Sequence, residues 1–421
     1  MGSRKSSCIL TQVRANTKRG DTAITPQMAE AAIENRIARL PEVARPLERC
    51  LGQTLRENVY AERENPPFDR VCMDGIAISS DVAHGGVREY LVEATQAAGV
   101  PAGALSKSGS AIEVMTGAML PDGADCVIPL EEYDLADRVA RLKVNALLEP
   151  YRNVQRRGAD SRPGEPMLRS GVRLNAPEVA IVASAGLASV RVSRQPRVVV
   201  ASTGDELVEP GQPIAQHQIR RSNAYAIVAS LTGYGFEEVQ NDHILDDENM
   251  LRARLAQHLA GSDALILSGG VSKGKFDLVP KILKELGVEE IFHQVAQRPG
   301  MPMWFGMSPP GCAVFGLPGN PIATMVCLAR YVVPALVTAQ GAQRRWPLAV
   351  ALAAPVKRGR TMTSFVPVQV RCDAQGRHLA MPRIPNGSGD FLALAGTDGF
   401  VELPPQAEPY PEGFIANMYR W

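Results

Sequence analysis

The residues with most chemical potential lie in the run "DALILSGGVSKGKFD", Asp263 to Asp277, where an apolar strand ends in a glycine-rich loop. Gly269 and Gly270 let backbone N–H groups approach an anion closely, and Lys273 or Lys275 can add a positive charge. The spacing Gly269, four residues, Gly274, Lys275 nearly spells a P-loop, but Phe276 stands where magnesium-bound Ser or Thr belongs. An NTPase reading is therefore disfavoured. Asp205, Glu206 and Asp277 place carboxylates where a divalent cation could bridge them to phosphate oxygens. Taken singly, each loop has a plainer reading: a tight turn at Gly269–Gly270, a helix N-terminus favouring acids at "STGDEL" (202–207), and a turn ahead of a helix at "GLPGNP" (316–321).

These loops must be positioned by strands, and the text supplies them. From Arg197 to about Gly341, apolar strands ("RVVVAST", "EEVQNDHIL", "DALILS", "EEIFHQVA", "CAVFGL") alternate with helical segments, the pattern of a parallel sheet covered on both faces. In such sheets ligands sit beyond the carboxyl ends of the strands, so the loops at 202–207, 268–277 and 316–321 should converge on one edge. Before this domain, "TPQMAEAAIENRIARL" reads as a helix capped by Thr25 with Pro26 at its first position. From about 66 to 155 short strands between Gly, Pro and Asp turns indicate a β-rich module, and strands return after 346. The module carries its own polar candidates: Asp69 and Asp74, Thr116 before a glycine, and Arg156 and Arg157 near Asp160. Paired Arg beside Asp is most often a solvated ion pair.

At 421 residues, with 45% of them hydrophobic, the chain is long enough for two to four domains. Its 45 basic residues against 44 acids give no bulk reason to bind nucleic acid or an anionic membrane. Seven cysteines form no CxxC pair, so no zinc cage is spelled out, and their unpatterned count suits the cytosol. The apolar run after Pro321 is broken by Arg330 and Pro334 and reads as a buried helix, not a membrane span. The basic start has no signal-like apolar core and reads as a disordered tail over 1–20.

The motifs "PPFDR", "MDG", "MTGAMLPDGAD", "RRGAD", "STGDEL", "IRRSN", "SGGVSKGKFD", "RPGMP" and "GLPGNP" occur in one chain. From about residue 25 to the end it resembles the molybdopterin molybdenumtransferases, the family of bacterial MoeA and the gephyrin E domain. The resemblance implies an elongated homodimer of four-part chains: a discontinuous helical and strand linker domain (21–65 and 156–195), a β-rich insertion (66–155), a three-layer α/β/α molybdopterin-binding domain with a mostly parallel sheet (196–344), and a C-terminal β-barrel-like domain (345–421). It implies insertion of molybdenum from molybdate into adenylated molybdopterin with release of AMP, assisted by Mg2+, in the cytoplasm. An adenylyltransferase and apo-molybdoenzymes are the implied protein partners. A nucleotide-pyrophosphate hydrolase, a tungstate-preferring paralogue and a non-enzymatic scaffold are the alternatives.

By motif, the resemblance assigns catalytic roles to Asp74, Thr116, Asp160, Asp246 and Asp277, and cation binding to Glu206 and Asp277. Gly269, Gly270, Ser272 and Lys275 fall to phosphate, while Arg298, Pro318, Pro321 and Ser388 fall to the substrate. Asp74, Thr116 and Asp160 are expected to complete the pocket from the dimer mate. The departures cluster at the molybdate end: Arg298 and Met301 stand where the family usually has lysines, and Gln155 and Ala159 interrupt a common Arg-Arg-Arg-Gly-Glu-Asp run.

Overall fold

The computed structural model describes residues 23–269, 278–343, 347–357, 361–387 and 389–421. The expected tail over 1–20 lies outside them. The chain divides into two compact units, one from the segment ending at Val43 with Gly52–Thr54 and Val192–Trp421, the other from Ala44–Leu51 and Leu55–Arg191.

The N-terminal helix α1 is Pro26–Glu34, and Thr25 caps it by accepting the Met28 N–H. It ends at Glu34 with Asn35 as C-cap, and beyond it the Leu40 N–H bonds the Ala339 carbonyl. Its buried Ala29 and Ile33 pack into the core of the α/β sheet in the larger unit.

In the smaller unit six strands form one sheet: β1 Gly75–Ile78, β2 Glu89–Gln96, β3 Ser110–Val114, β4 Cys126–Pro129, β5 Tyr133–Ala136 and β6 Val139–Leu142. Their order is β4-β1-β3-β2-β6-β5, antiparallel except for β2 beside β3. Every residue of β1 is buried: Ile76 and Ile78 enter one apolar cluster and Ala77 another, so both faces of this central strand are covered.

The larger unit is built on β7 Val198–Thr203, β8 Val239–Ile244, β9 Ala264–Ser268, β10 Glu289–His293, β11 Trp304–Met307 and β12 Ala313–Leu317. The order is β8-β7-β9-β12-β11-β10; the first four are parallel and the last two join antiparallel. Strand β11 was not legible as a strand in the sequence. Alternation along β7 explains the layers: Val198 and Val200 face a core with α1, α2 (Ser222–Gly233) and α5 (Pro321–Ala339), while Val199 and Ala201 face α3 (Glu248–Gly261) and α4 (Leu278–Glu285). Helix α5 is long and apolar enough to cross a membrane, but 83% of its most apolar window is buried in the protein, as expected of a core helix. A π-turn at Leu328–Val332 interrupts it.

The C-terminal strands β13 Leu348–Leu352, β14 Thr363–Cys372, β15 His378–Pro382, β16 Gly399–Leu403 and β17 Ile415–Arg420 run in the order β14-β15-β13-β17-β16. Pairing of β16 back onto β14 closes a barrel.

Candidate functional site

Strands β7, β9 and β12 end at the same edge, and their loops meet at glycines. Gly269 has φ +95°, donates its N–H to the Leu317 carbonyl at 3.4 Å, and lies so close to β7 that a Cβ would sit 3.3 Å from the Thr203 carbonyl. A Cβ on Gly319 would lie 3.9 Å from the Gly269 Cα. The convergence expected from strand order is therefore present, with Gly269, Pro318 and Pro321 on adjoining loops.

The residue that ties them was not singled out in the sequence. Asn223, near the start of α2, places its Nδ2 2.8 Å from the Gly319 carbonyl, 3.2 Å from Ser268 Oγ and 3.3 Å from Thr324 Oγ1. Thr324 in turn donates to the Pro318 carbonyl at 2.6 Å. The side-chain oxygens of Asn223 and Asn320 are buried without a hydrogen-bond partner, an arrangement that usually marks a ligand or water contact.

The "STGDEL" loop folds tightly. Gly204 has φ +134°, and a Cβ there would lie 2.4 Å from Glu206 Oε2, so the Glu206 carboxylate curls back over the glycine. His243 Nε2 donates to the Gly204 carbonyl at 3.0 Å, and Asp205 Oδ1 accepts the Asp246 N–H at 3.1 Å. Glu206 and Asp246 thus occupy neighbouring loops. Arg221 of "IRRSN" is a strut: it is buried, bonds Glu209, Asn241 and the Asp242 carbonyl, and its pKa is lowered by burial. Arg220 bonds the carbonyls of Glu209 and Gln212, so it too serves the loop. Among the described residues no group of three His, Cys, Asp or Glu could hold a metal. Gly270, Ser272, Lys273, Lys275, Asp277 and Ser388 lie outside the described residues.

Beside this edge opens a cleft of about 820 Å³, lined from the sheet side by Arg298, Met301 and Pro318 and from the barrel by Lys357, Thr361 and Ser364. The two sides are stitched together by parallel pairing of Gln297–Arg298 with Thr363–Ser364. Its described lining holds two cations and no carboxylate, a composition suited to an oxyanion. The barrel's contribution at Lys357, Thr361 and Ser364 was missed in the sequence. Pro318 belongs to both the cleft and the glycine junction.

In the smaller unit, Thr116 donates its backbone N–H (2.6 Å) and its hydroxyl (2.8 Å) to Asp74 Oδ1. These bonds, the backbone one foremost, hold the Asp74 carboxyl below its usual pKa. Asp160 accepts Gln155 Nε2 at 2.9 and 3.0 Å, and Gln155 also accepts from Arg70. Asp69 accepts the Arg157 N–H at 2.7 Å, while Arg157 pairs with Glu64. The short antiparallel pair Arg70–Val71 and Val154–Gln155, with Val71 also bonded to Gly117 and Ala118, gathers Asp74, Thr116 and Asp160 into one neighbourhood. Gly75 is required beside Asp74: a Cβ there would lie 2.0 Å from the Ile128 carbonyl. Gly75→Ala should cost about 1–3 kcal/mol through this overlap, read as a lower urea midpoint; an unchanged midpoint would contradict the packing described.

Three family models match the chain in order: "MoeA N-terminal region (domain I and II)" over 24–186, "Probable molybdopterin binding domain" over 199–338, and "MoeA C-terminal region (domain IV)" over 349–421. A molybdopterin molybdenumtransferase from Synechocystis sp. is 39% identical over 371 residues, covering 88% of this chain and 93% of the relative. One from Staphylococcus epidermidis is 30% identical over 385 residues, covering 88% and 89%. A solved molybdopterin biosynthesis MoeA protein from Pyrococcus horikosii superimposes with a TM-score of 0.76 at 28% identity, covering 95% of this chain and 99% of that one.

Proposed function

As the chain belongs to the MoeA family of molybdopterin molybdenumtransferases, we propose that it inserts molybdenum into adenylated molybdopterin and releases AMP, the last step of molybdenum cofactor biosynthesis. The observation that carries this reading is the shared loop 316–321, which borders both the glycine junction and the cationic cleft. A substrate with phosphates at one end and a dithiolene at the other needs those two environments side by side. The side-chain-free junction at Gly269 and Gly319 would let the phosphates approach the backbone closely, and the unpartnered amide oxygens of Asn223 and Asn320 would accept N–H donors of the substrate. Arg298 and Lys357 would hold molybdate next to the dithiolene. The relatives' names do not favour the hydrolase, tungstate or scaffold alternatives.

Glu206, whose exposed carboxylate offers hard oxygen donors, and Asp277 would hold Mg2+ together with phosphate oxygens and water, as Mg2+ commonly prefers. When bound, such an ion would polarise the anhydride that yields AMP. A homodimer is part of the proposal, with the Asp74, Thr116 and Asp160 neighbourhood of one copy serving the substrate held by the other. So are a cytosolic location and the passage of substrate from an adenylyltransferase and of product to apo-molybdoenzymes.

Losing one charge-assisted contact removes about 1.5–3 kcal/mol. Arg298→Ala should therefore raise the molybdate concentration for half-maximal AMP release by roughly ten- to hundredfold. Molybdate titrations of AMP release check this, and an unshifted curve would remove Arg298 from the oxyanion site.

A further inference from the structure

In the wall of the cleft lies a buried polar group that the reaction itself does not employ. Gln297 has no exposed surface. Its Nε2 donates to the carbonyls of Pro299 and Gly300, each at 3.3 Å, and its Oε1 accepts the Tyr331 hydroxyl. The amide therefore grips the loop that begins at the very next residue, while the other end of the same side chain is held by helix α5. Gly300, at φ +99°, leaves room for this grip: a Cβ there would lie 2.6 Å from Gln297 Nε2 and 2.7 Å from Cys327 Sγ. The loop is closed further by the Val295 N–H on the Met301 carbonyl at 2.8 Å.

Tyr331 sits in the π-turn of α5, and that turn is itself anchored. Its neighbour Arg330, 2% exposed, bonds Glu30 of α1 at 2.9 Å and Glu402 of β16 at 3.0 Å. Helix, barrel and loop thus meet at Tyr331 and Gln297. A core glutamine needs only to satisfy its own polar atoms, which any nearby backbone would do. Here the two carbonyl contacts go to the loop that presents Arg298 and Met301 to the cleft, and the third and longest, 3.5 Å to Cys327 Sγ, goes to α5.

We propose that Gln297 and Tyr331 are positioning residues that set the affinity for the metal oxyanion by fixing the 298–302 loop, and with it the Arg298 guanidinium, without touching the oxyanion themselves. The inference rests on the reading that Arg298 contacts molybdate.

The test is a double-mutant cycle of Tyr331→Phe with Arg298→Ala, because Phe keeps the buried ring and removes only the hydroxyl. Molybdate KM and kcat are measured from AMP release, and molybdate Kd by calorimetry on the full chain. Tyr331→Phe is expected to raise the KM and Kd for molybdate about three- to tenfold with kcat nearly unchanged and Tm lowered by about a few degrees at most, since Gln297 Oε1 loses its donor. In the Arg298→Ala background it should change them by less than about twofold. Gln297→Met should act in the same direction and more strongly; should it fail to fold, the Tyr331→Phe cycle still decides. A full Tyr331→Phe effect that persists without Arg298, or no Tyr331→Phe effect at all, overturns the inference while leaving the oxyanion assignment intact. If Arg298→Ala alone leaves molybdate KM and Kd unchanged, the parent reading of the cleft fails, and the inference with it.

Discussion

Asn223→Ala is expected to lower AMP release by about a hundredfold and stability by about 1–3 kcal/mol. One amide group spans Ser268 at the end of β9, the Gly319 carbonyl in the loop after β12, and Thr324 in α5. Removing it leaves the Gly319 carbonyl without this donor and frees the 316–321 loop to drift from Gly269, whose N–H bonds the Leu317 carbonyl of that loop. A displacement of about 1 Å at a loop bordering both phosphate and oxyanion regions is enough for a loss of that size. Asn223→Asp should be as inactive, because the carboxylate retains acceptors and loses the donors. Single-turnover AMP release and urea unfolding measure the two effects; an active Asn223→Ala protein would mean the three loops hold their arrangement without it.

Asp74→Asn is expected to separate function from folding, with AMP release down about a hundredfold and Tm unchanged within error. Asp74 is exposed and, among the described residues, its two bonds come from Thr116, so the fold makes little use of its charge. Those bonds keep it ionised to lower pH than an ordinary Asp. The sign follows: its folded pKa is depressed, so whatever stability the Thr116 bonds lend is present above the ordinary carboxylate pKa and lost as pH falls through the lowered one. Thr116→Val removes the hydroxyl, keeps the backbone N–H and should raise the Asp74 pKa only partway back, observable by NMR titration. If the site is shared between copies, mixing Asp74→Asn and Arg298→Ala chains should restore activity above either parent. Loss of Tm in Asp74→Asn, or full activity, would refute the assignment.

The sheet and its loops were legible because buried parallel strands have an unmistakable texture. Val198–Thr203, Ala264–Ser268 and Ala313–Leu317 are buried throughout, and the placement of loops at their ends follows from topology. Caps were legible for the same local reason, as at Thr25. What escaped depends on distant chain. Asn223 reads as an ordinary residue at a helix start, and its partners lie 45, 96 and 101 positions away. Strand β11 sits between turn-forming prolines and glycines and carries no alternation, so only its antiparallel pairing with β10 and β12 defines it. The barrel side of the cleft depends on a two-residue pairing that no periodicity announces. Arg220 and Arg221 show the converse: a basic pair within a family motif that the fold uses for its own loops.

The most direct test mixes the full chain with adenylated molybdopterin and Mg2+, with and without molybdate, and follows AMP together with reconstitution of an apo-molybdoenzyme. The account predicts AMP release that requires molybdate and a product that activates the apo-enzyme. AMP release of equal rate without molybdate, yielding no active cofactor, would contradict it.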